Sequence, residues 1–364
     1  VGLYEQDVWM NLADRVGHTL VLGTTRVGKT RLAELLIAQD IRRGDVVIVI
    51  DPKGDADLLK RVYTEAVAIG RASDLLIFHL GFPERSARYN AIGRFSRTTE
   101  VATRIANQLP SEGNSAAFKE FAWRFVNIIA RALVCLGEQP DFERIRRYIN
   151  DIEPLFIRYA RYYLAEHANE DWQDAVEALA SKVSTRNVPP AMRGRQPDAI
   201  GLYQYLQNQG IYEPVLDGLM STFKYDRSYF DKIVSSVGPL LEKLCSGTTA
   251  ELLSPRAGDE RPILDWMNVI RRRGIVYVGL DALSDATVAG AVGNAMFADL
   301  VSVAGYLYKH GLGNGSDALP TISLHADEFN ELIGDEFVPL LNKAGGAGFQ
   351  VTAYTQTWSD VEAR

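Results

Sequence analysis

Cysteine is scarce in this chain: Cys135 and Cys245 are the only two in 364 residues. That excludes a disulfide framework and a cysteine-based zinc site and fits a reducing compartment. Both lie in apolar helical sequence and read as core thiols. The five histidines form neither an HExxH motif nor a paired spacing. Positive charge is also short. A net charge of −7 disfavours a broad nucleic-acid-binding surface and leaves open a small basic patch lining a pore or groove. No apolar run reads as long enough to cross a bilayer; the nearest, Phe125 to Leu136, is broken by Asn127 and Arg131. No fixed-period repeat is visible, so a solenoid is excluded. The chain begins at Val1 without a methionine, which reads as an upstream segment removed or left out.

What is present is an ordinary globular composition at a length that favours two domains. Near the start stands a complete GxxxxGK[ST] loop: Gly23, Thr24, Thr25, Arg26, Val27, Gly28, Lys29, Thr30. The apolar stretch 19–22 ahead of it reads as a buried strand. Arg31 to Arg43 behind it reads as a helix, with Leu32, Leu35, Leu36 and Ile41 at near-helical spacing. Position gives the loop its chemistry. Successive backbone N–H groups wrap a β-phosphate, and the helix points its positive end at the same anion. Lys29 reaches the β- and γ-oxygens, and the Thr30 hydroxyl is placed for Mg²⁺. With Arg31 these residues form the candidate site for ATP.

Further strands are read at 46–51, 75–78, 274–280, 321–326 and 350–354, with a helix at 58–69. The strand and helix alternation predicts a parallel sheet with right-handed crossovers. From about Thr98 to Leu253 nearly every stretch reads as helix. Phe118 to Leu136 carries Phe121, Phe125, Ile128, Ile129, Ala132 and Leu133 on one face, and 172–183 and 229–244 behave likewise. A loop is marked by Pro189-Pro190 and Arg193-Gly194-Arg195. A long helix from Asp285 to Tyr308 and a polar linker, Gly311 to Asp317, precede the last two strands. The expected fold is α/β: a P-loop core with a mainly parallel sheet, interrupted by an inserted all-α domain. Residues 1–95 and 259–364 form the core, and 96–258 the insertion.

The strand at 321–326 ends in Asp327-Glu328, as a Walker B element requires. Asp327 is the candidate Mg²⁺ ligand, and Glu328 the acid that polarises the attacking water. His325 is expected to be a packed core histidine rather than an orienter of Asp327. Gln356, at the end of the last strand, is placed to sense the γ-phosphate.

Four segments carry a resemblance: GTTRVGKTR at 23–31, DPKGD at 51–55, HADEFNEL at 325–332 and KAGGAGFQVTAYTQT at 343–357. Together with the helical insertion they resemble the cytoplasmic ATPase domain of type IV secretion coupling proteins of the TraD/TraG family, in particular the TraD of integrative conjugative elements. The resemblance covers nearly the whole chain. It implies a RecA-like motor that forms a hexameric ring at the inner membrane and moves single-stranded DNA toward a secretion channel. The implied partners are the relaxase and inner-membrane secretion components. The family's transmembrane helices are not read in this chain, so a soluble fragment is expected, largely monomeric and a slow ATPase. Asn342 stands where relatives often carry an arginine finger, which leaves Lys343 or an arginine elsewhere, Arg271, Arg272 and Arg273 among them. The chain ends at Arg364, whereas the family continues through further strands.

For DNA contact, Arg85, Arg88, Arg94 and Arg97 are interleaved with Tyr89 and Phe95, a mixture that suits single strands and equally an ordinary solvated loop. Two other functions compete with the translocase: a substrate receptor whose bound nucleotide sets its assembly state, and an FtsK- or HerA-like DNA pump without a secretion role.

Overall fold

A computed structural model describes residues 7–24, 26–109, 115–184, 188–224, 227–255, 258–313, 319–331 and 337–359. In chain order its elements are β1 (Thr19–Leu22), α1 (Lys29–Arg43), β2 (Val46–Asp51), α2 (Ala56–Ala68), β3 (Leu75–His79), α3 (Thr99–Ala106), α4 (Ser115–Cys135), α5 (Phe142–Asn150), α6 (Glu153–His167), α7 (Trp172–Ala180), α8 (Pro197–Asn208), α9 (Pro214–Phe223), α10 (Arg227–Leu244), α11 (Gly247–Leu253), α12 (Trp266–Arg271), β4 (Ile275–Gly279), α13 (Ala286–His310), β5 (Ile322–Ala326), α14 (Phe337–Lys343) and β6 (Phe349–Thr355). The chain divides into two compact units, residues 1–91 with 247–364, and residues 92–246. The helical unit starts slightly before the boundary read from sequence and ends well before it, because α11 packs with the sheet-bearing unit: the Tyr89 N–H donates to the Leu252 carbonyl at 2.8 Å.

The first unit is built on six parallel strands in the order β1-β6-β5-β2-β4-β3. β2 and β4 are buried on both faces, which is why they read as continuous β-branched runs. Ala33, Ile37 and Ile41 of α1 and Leu58, Val62 and Ala66 of α2 pack with Val47, Val49, Ile275 and Tyr277 on one face. Right-handed crossover places α13, which connects β4 back to β5, on the other face. The core side of α1 differs from the sequence reading. Leu32 and Leu35 are exposed, and small Ala33 and Ala38 take the inward positions.

α13 also corrects the sequence reading. It is long and apolar enough to cross a membrane, yet 72% of its apolar window is buried within the fold. It is a core helix: Phe297 meets Phe337 of α14 edge-on at 5.0 Å, and Asp285 caps its start by accepting from the Thr287 and Val288 N–H groups. The linker read at 311–317 falls largely on residues 314–318, outside the described residues.

Among the described residues the second unit is all helix. Its core is formed by Phe125, Ile129 and Leu133 of α4, Ile145 and Ile149 of α5, and Phe156 of α6 stacked on Phe223 of α9 at 4.9 Å. Phe121 is more than a third exposed; the buried face of α4 runs instead through Ala122, Val126 and Ala130. Cys135 is exposed and Cys245 half-buried, so neither is the fully packed core thiol expected.

Candidate nucleotide site

Parallel strands present all their C-terminal ends at one edge of the sheet, and the candidate residues leave from four neighbouring ends there. After β1 the Gly23 N–H donates to the Thr355 carbonyl at 3.1 Å, which ties the loop to β6. Gly28 then takes a left-handed conformation (φ 93°) that admits glycine without strain, and α1 starts at Lys29. No side chain caps this helix, and no acid stands in its first turn. The Leu32 N–H bonds back to the Gly28 carbonyl at 3.0 Å; the N–H groups before it belong to the turn that has no intrahelical acceptor. An uncapped helix start without acids is a seat for an anion. Thr24, Arg26 and Val27 are exposed, and Thr30 is half-buried. Thr25 lies outside the described residues. Arg31 contributes a backbone N–H to this turn, but its guanidinium is held along the helix by Glu34 at 2.8 Å.

Asp327 continues β5, its N–H donating to the Ile50 carbonyl at 3.0 Å. Glu328 follows with a positive φ of 39°, a strained conformation costing about 1–3 kcal/mol for a non-glycine residue. Its carboxylate is buried and gathers cations and an amide from three other strand ends. Lys29 Nζ lies 4.0 Å from Oε1, Lys53 Nζ donates to Oε1 at 2.5 Å, and Gln356 Nε2 reaches Oε1 and Oε2 at 3.4 and 3.5 Å. β6 lies between β1 and β5, so Gln356 emerges between the phosphate loop and the acid pair. The structure thus brings Lys29, Glu328 and Gln356 together.

Electrostatically the acids are crowded. Burial, with the negative charge of Asp51 added, pushes Asp327 up to about 6. Burial opposes charge on Lys53, but its bond to Glu328 outweighs that and raises the ammonium above its ordinary range. His325 does not orient Asp327. It is buried, with its Nε2 facing Asp40 Oδ2 and its Nδ1 facing the Tyr354 hydroxyl, both at 2.9 Å.

Other candidates do not join the cluster around Glu328. Arg88 and Tyr89 point inward: Arg88 pairs with Asp259, and the Tyr89 hydroxyl donates to Asp299 at 3.1 Å. The proposed DNA-facing mixture therefore loses its central pair, while Arg85 and Arg97 are exposed. Arg271, Arg272 and Arg273 precede β4, at the opposite end of the sheet, with Arg273 donating to the Gly44 carbonyl at 3.4 Å. This is a solvated helix end. Asn342 and Lys343 are exposed at the end of α14. Arg195 is anchored by Glu153 at 3.3 Å and lies over the Phe223 ring at 4.9 Å. What sequence reasoning missed is Lys53: its DPKGD segment stood out as a motif without an assigned task.

No known family model matches the chain. Over 161 residues it is 24% identical to the type 4 coupling protein DotL of Legionella pneumophila, a match spanning 40% of this chain and 21% of DotL. Its fold is similar to that of the bacterial conjugative coupling protein TrwBdeltaN70 (14% identity, TM-score 0.51, 96% of this chain and 64% of that one). It is equally similar to the plasmid coupling protein TrwB in complex with ADP and Mg²⁺ (14% identity, TM-score 0.52, 96% and 66%). Both kinds of similarity lead to coupling proteins. The chain spans about a fifth of DotL and under two thirds to about two thirds of the TrwB chains. The RecA-like P-loop fold expected from the sequence is the fold found.

Proposed function

We propose that the chain is the ATP-driven motor of a type IV secretion coupling protein of the TraD/TraG family, moving single-stranded DNA toward the secretion channel. The observation that carries this reading is the convergence of Lys29, Glu328 and Gln356 at one edge of a parallel sheet, in a chain similar in sequence and in fold to coupling proteins. Lys29 and the first-turn N–H groups of α1 bind the phosphates. Glu328 takes the proton of the attacking water, and Gln356 senses the γ-phosphate and relays its loss through β6.

The residues present fit Mg²⁺ with a nucleotide. Asp327 sits where negative charge is in excess, while among the described residues no group of three His, Cys, Asp or Glu forms an all-protein metal cage. That combination suits a cation carried in on phosphate oxygens, with the Thr30 hydroxyl and Asp327 holding its protein side. When bound, Mg²⁺ neutralises charge on the β- and γ-oxygens. As in the motor reading, the active assembly is a hexamer at the cytoplasmic face of the inner membrane, and the all-α unit receives the relaxase–DNA complex.

The deciding experiment measures ATP hydrolysis with and without single-stranded DNA across protein concentration. Turnover that rises with DNA and with concentration supports the motor. Nucleotide binding without DNA-stimulated turnover favours a receptor whose nucleotide sets its assembly state.

A further inference from the structure

The DPKGD turn after β2 belongs neither to the phosphate loop nor to the acid pair, yet it presents a lysine to the same carboxylate. Lys53 Nζ lies 2.5 Å from Glu328 Oε1, much nearer than Lys29 at 4.0 Å or Gln356 at 3.4 Å. The turn is built to hold that lysine in place. Asp51, buried at the end of β2, accepts from the Lys53 and Gly54 N–H groups on Oδ1 at 2.9 and 3.0 Å, and from the Asp55 N–H on Oδ2 at 2.6 Å. The Tyr277 hydroxyl donates to Oδ2 at 2.7 Å; burial and the Asp51 charge raise this phenol, so it stays a donor. Gly54 has a φ of 71° and rests on His79, where a Cβ would stand 2.6 Å from Nε2. The Pro52 carbonyl accepts from the Ala282 N–H at 2.8 Å, and Asp55 caps α2 through the Asp57 N–H at 2.8 Å. The motif thus fixes its own turn, Lys53 through its backbone alone, and the Lys53 side chain reaches across to the strand end of β5.

We infer that Lys53 is a positioning residue for hydrolysis, holding the Glu328 carboxylate in place and aimed while Lys29 is engaged with phosphate. The inference rests on the ATPase reading above. One ammonium cannot serve both the β- and γ-oxygens and the base, and Gln356 is neutral and at the long end of hydrogen-bond range. Without the contact that fixes it, the carboxylate is free to turn away from the γ-phosphate side, and is then lost as a base. Lys53 remains 40% exposed along its side chain, so it supplies charge without being fully desolvated.

The test compares Lys53→Met and Lys53→Arg with the unsubstituted chain in steady-state ATP hydrolysis and in fluorescent Mg·nucleotide titration. Lys53→Met should lower kcat at least tenfold with nucleotide Kd within twofold, and Lys53→Arg should restore part of kcat. An unchanged or raised kcat in Lys53→Met overturns the inference, as does a kcat loss matched by a loss of nucleotide affinity, which would make Lys53 a phosphate ligand. A second readout needs no turnover. Zero-length carbodiimide coupling joins an amine and a carboxylate in contact, the reagent taking up the water. It should give a 53–328 crosslinked peptide in the chain saturated with a non-hydrolysable ATP analogue, and none in Glu328→Gln. A crosslink absent once the analogue binds overturns the inference. Failure of the unsubstituted chain to bind nucleotide would instead sink the ATPase reading, and the crosslink in the nucleotide-free chain distinguishes the two.

Discussion

Arg15 meets Asp40 edge to edge: its two terminal nitrogens donate to the two carboxylate oxygens at 2.6 and 2.7 Å, with both side chains out of water. Arg43 adds a bond to Asp40 Oδ1 at 2.6 Å. Burial keeps His325 toward its neutral form, so its Nε2–H donates to Asp40 while its Nδ1 accepts from Tyr354. The network ties the segment before β1, the last turns of α1, β5 and β6 into one polar core. Breaking such a pair by removing one partner strands a buried charge. Arg15→Ala should therefore cost about 3–5 kcal/mol, read as a lower urea midpoint at unchanged slope. A loss below about 1 kcal/mol would mean that Arg43 suffices for Asp40.

Acid should act through the same residue. Burial works against ionised Asp40, but the bonds from Arg15 and His325 outweigh it and hold the carboxyl well below the usual carboxylate range. A folded pKa below the unfolded one contributes stability that is present above the unfolded value, about 3.9, and lost as pH falls through it toward the folded value. Asp40→Asn removes this contribution. The gap in urea midpoint between the two proteins should be widest near neutrality and shrink below about pH 4. A gap of constant width would take Asp40 out of the acid limb.

The strands were legible because parallel strands buried on both faces show as β-branched runs, and 46–51 reads as a strand in sequence and is one in structure. The phosphate loop and acid pair were legible because each sits at a strand end where spacing alone fixes its place. Helix faces were less so. Leu32 and Leu35 have the size of core residues, but α1 turns Ala33 and Ala38 inward beside Ile37 and Ile41, so side-chain size alone did not mark its buried face. α13 did not stand out as a helix long and apolar enough to cross a membrane, because its small residues, such as Ala291 and Ala295, are buried alongside its large ones and widen its buried face beyond a single stripe. Lys53 was illegible for a different reason. Its meaning depends on Glu328, 275 residues away in sequence, and nothing local marks that contact.

The two thiols should separate cleanly. Cys135 is exposed, while burial, aided by nearby Glu143 and Asp141, pushes the Cys245 thiol up to about 12. The thiolate is the reactive species. At pH 8 a disulfide-exchange reagent should label one thiol per chain quickly, and Cys135→Ser should leave only the slow phase. Fast labelling of the Ser variant would show Cys245 to be open to solvent.

Lys29→Ala should abolish nucleotide binding in a fluorescence titration, because the uncapped N–H groups of α1 supply only partial charges once the ammonium is gone. Equal affinity in both proteins would remove the phosphate-loop assignment.

Glu328→Gln should keep Mg·ATP bound and stop turnover, since the amide keeps the size of the carboxylate and cannot accept the proton. Asp327→Asn should instead weaken only the part of nucleotide affinity that depends on Mg²⁺. Turnover of Glu328→Gln at the unsubstituted rate would pass the base to another acid.

The sheet-bearing unit should bind nucleotide without residues 92–246. The chain leaves it and returns to it at adjoining points. Beside the 2.8 Å bond from the Tyr89 N–H to Leu252, the Arg88 N–H donates to the Pro262 carbonyl at 2.8 Å and the Leu264 N–H donates to the Arg88 carbonyl at 2.7 Å. Tyr89 also keeps its own packing inside the unit, edge-on to Trp266 at 6.2 Å and bonded to Asp299. A short Gly/Ser bridge between Ala91 and Gly247 therefore closes a gap whose flanks are already paired, at a modest loop-closure entropy. All six strands, the phosphate loop and the acid pair stay in place. The bridged protein should unfold in one cooperative transition and bind Mg·ATP within a few-fold of the unsubstituted chain, while losing retention of a relaxase–DNA complex. Retention of that complex by the bridged protein would move recognition into the sheet-bearing unit. Loss of nucleotide binding together with the cooperative transition would mean that the helical unit is needed to fold the site.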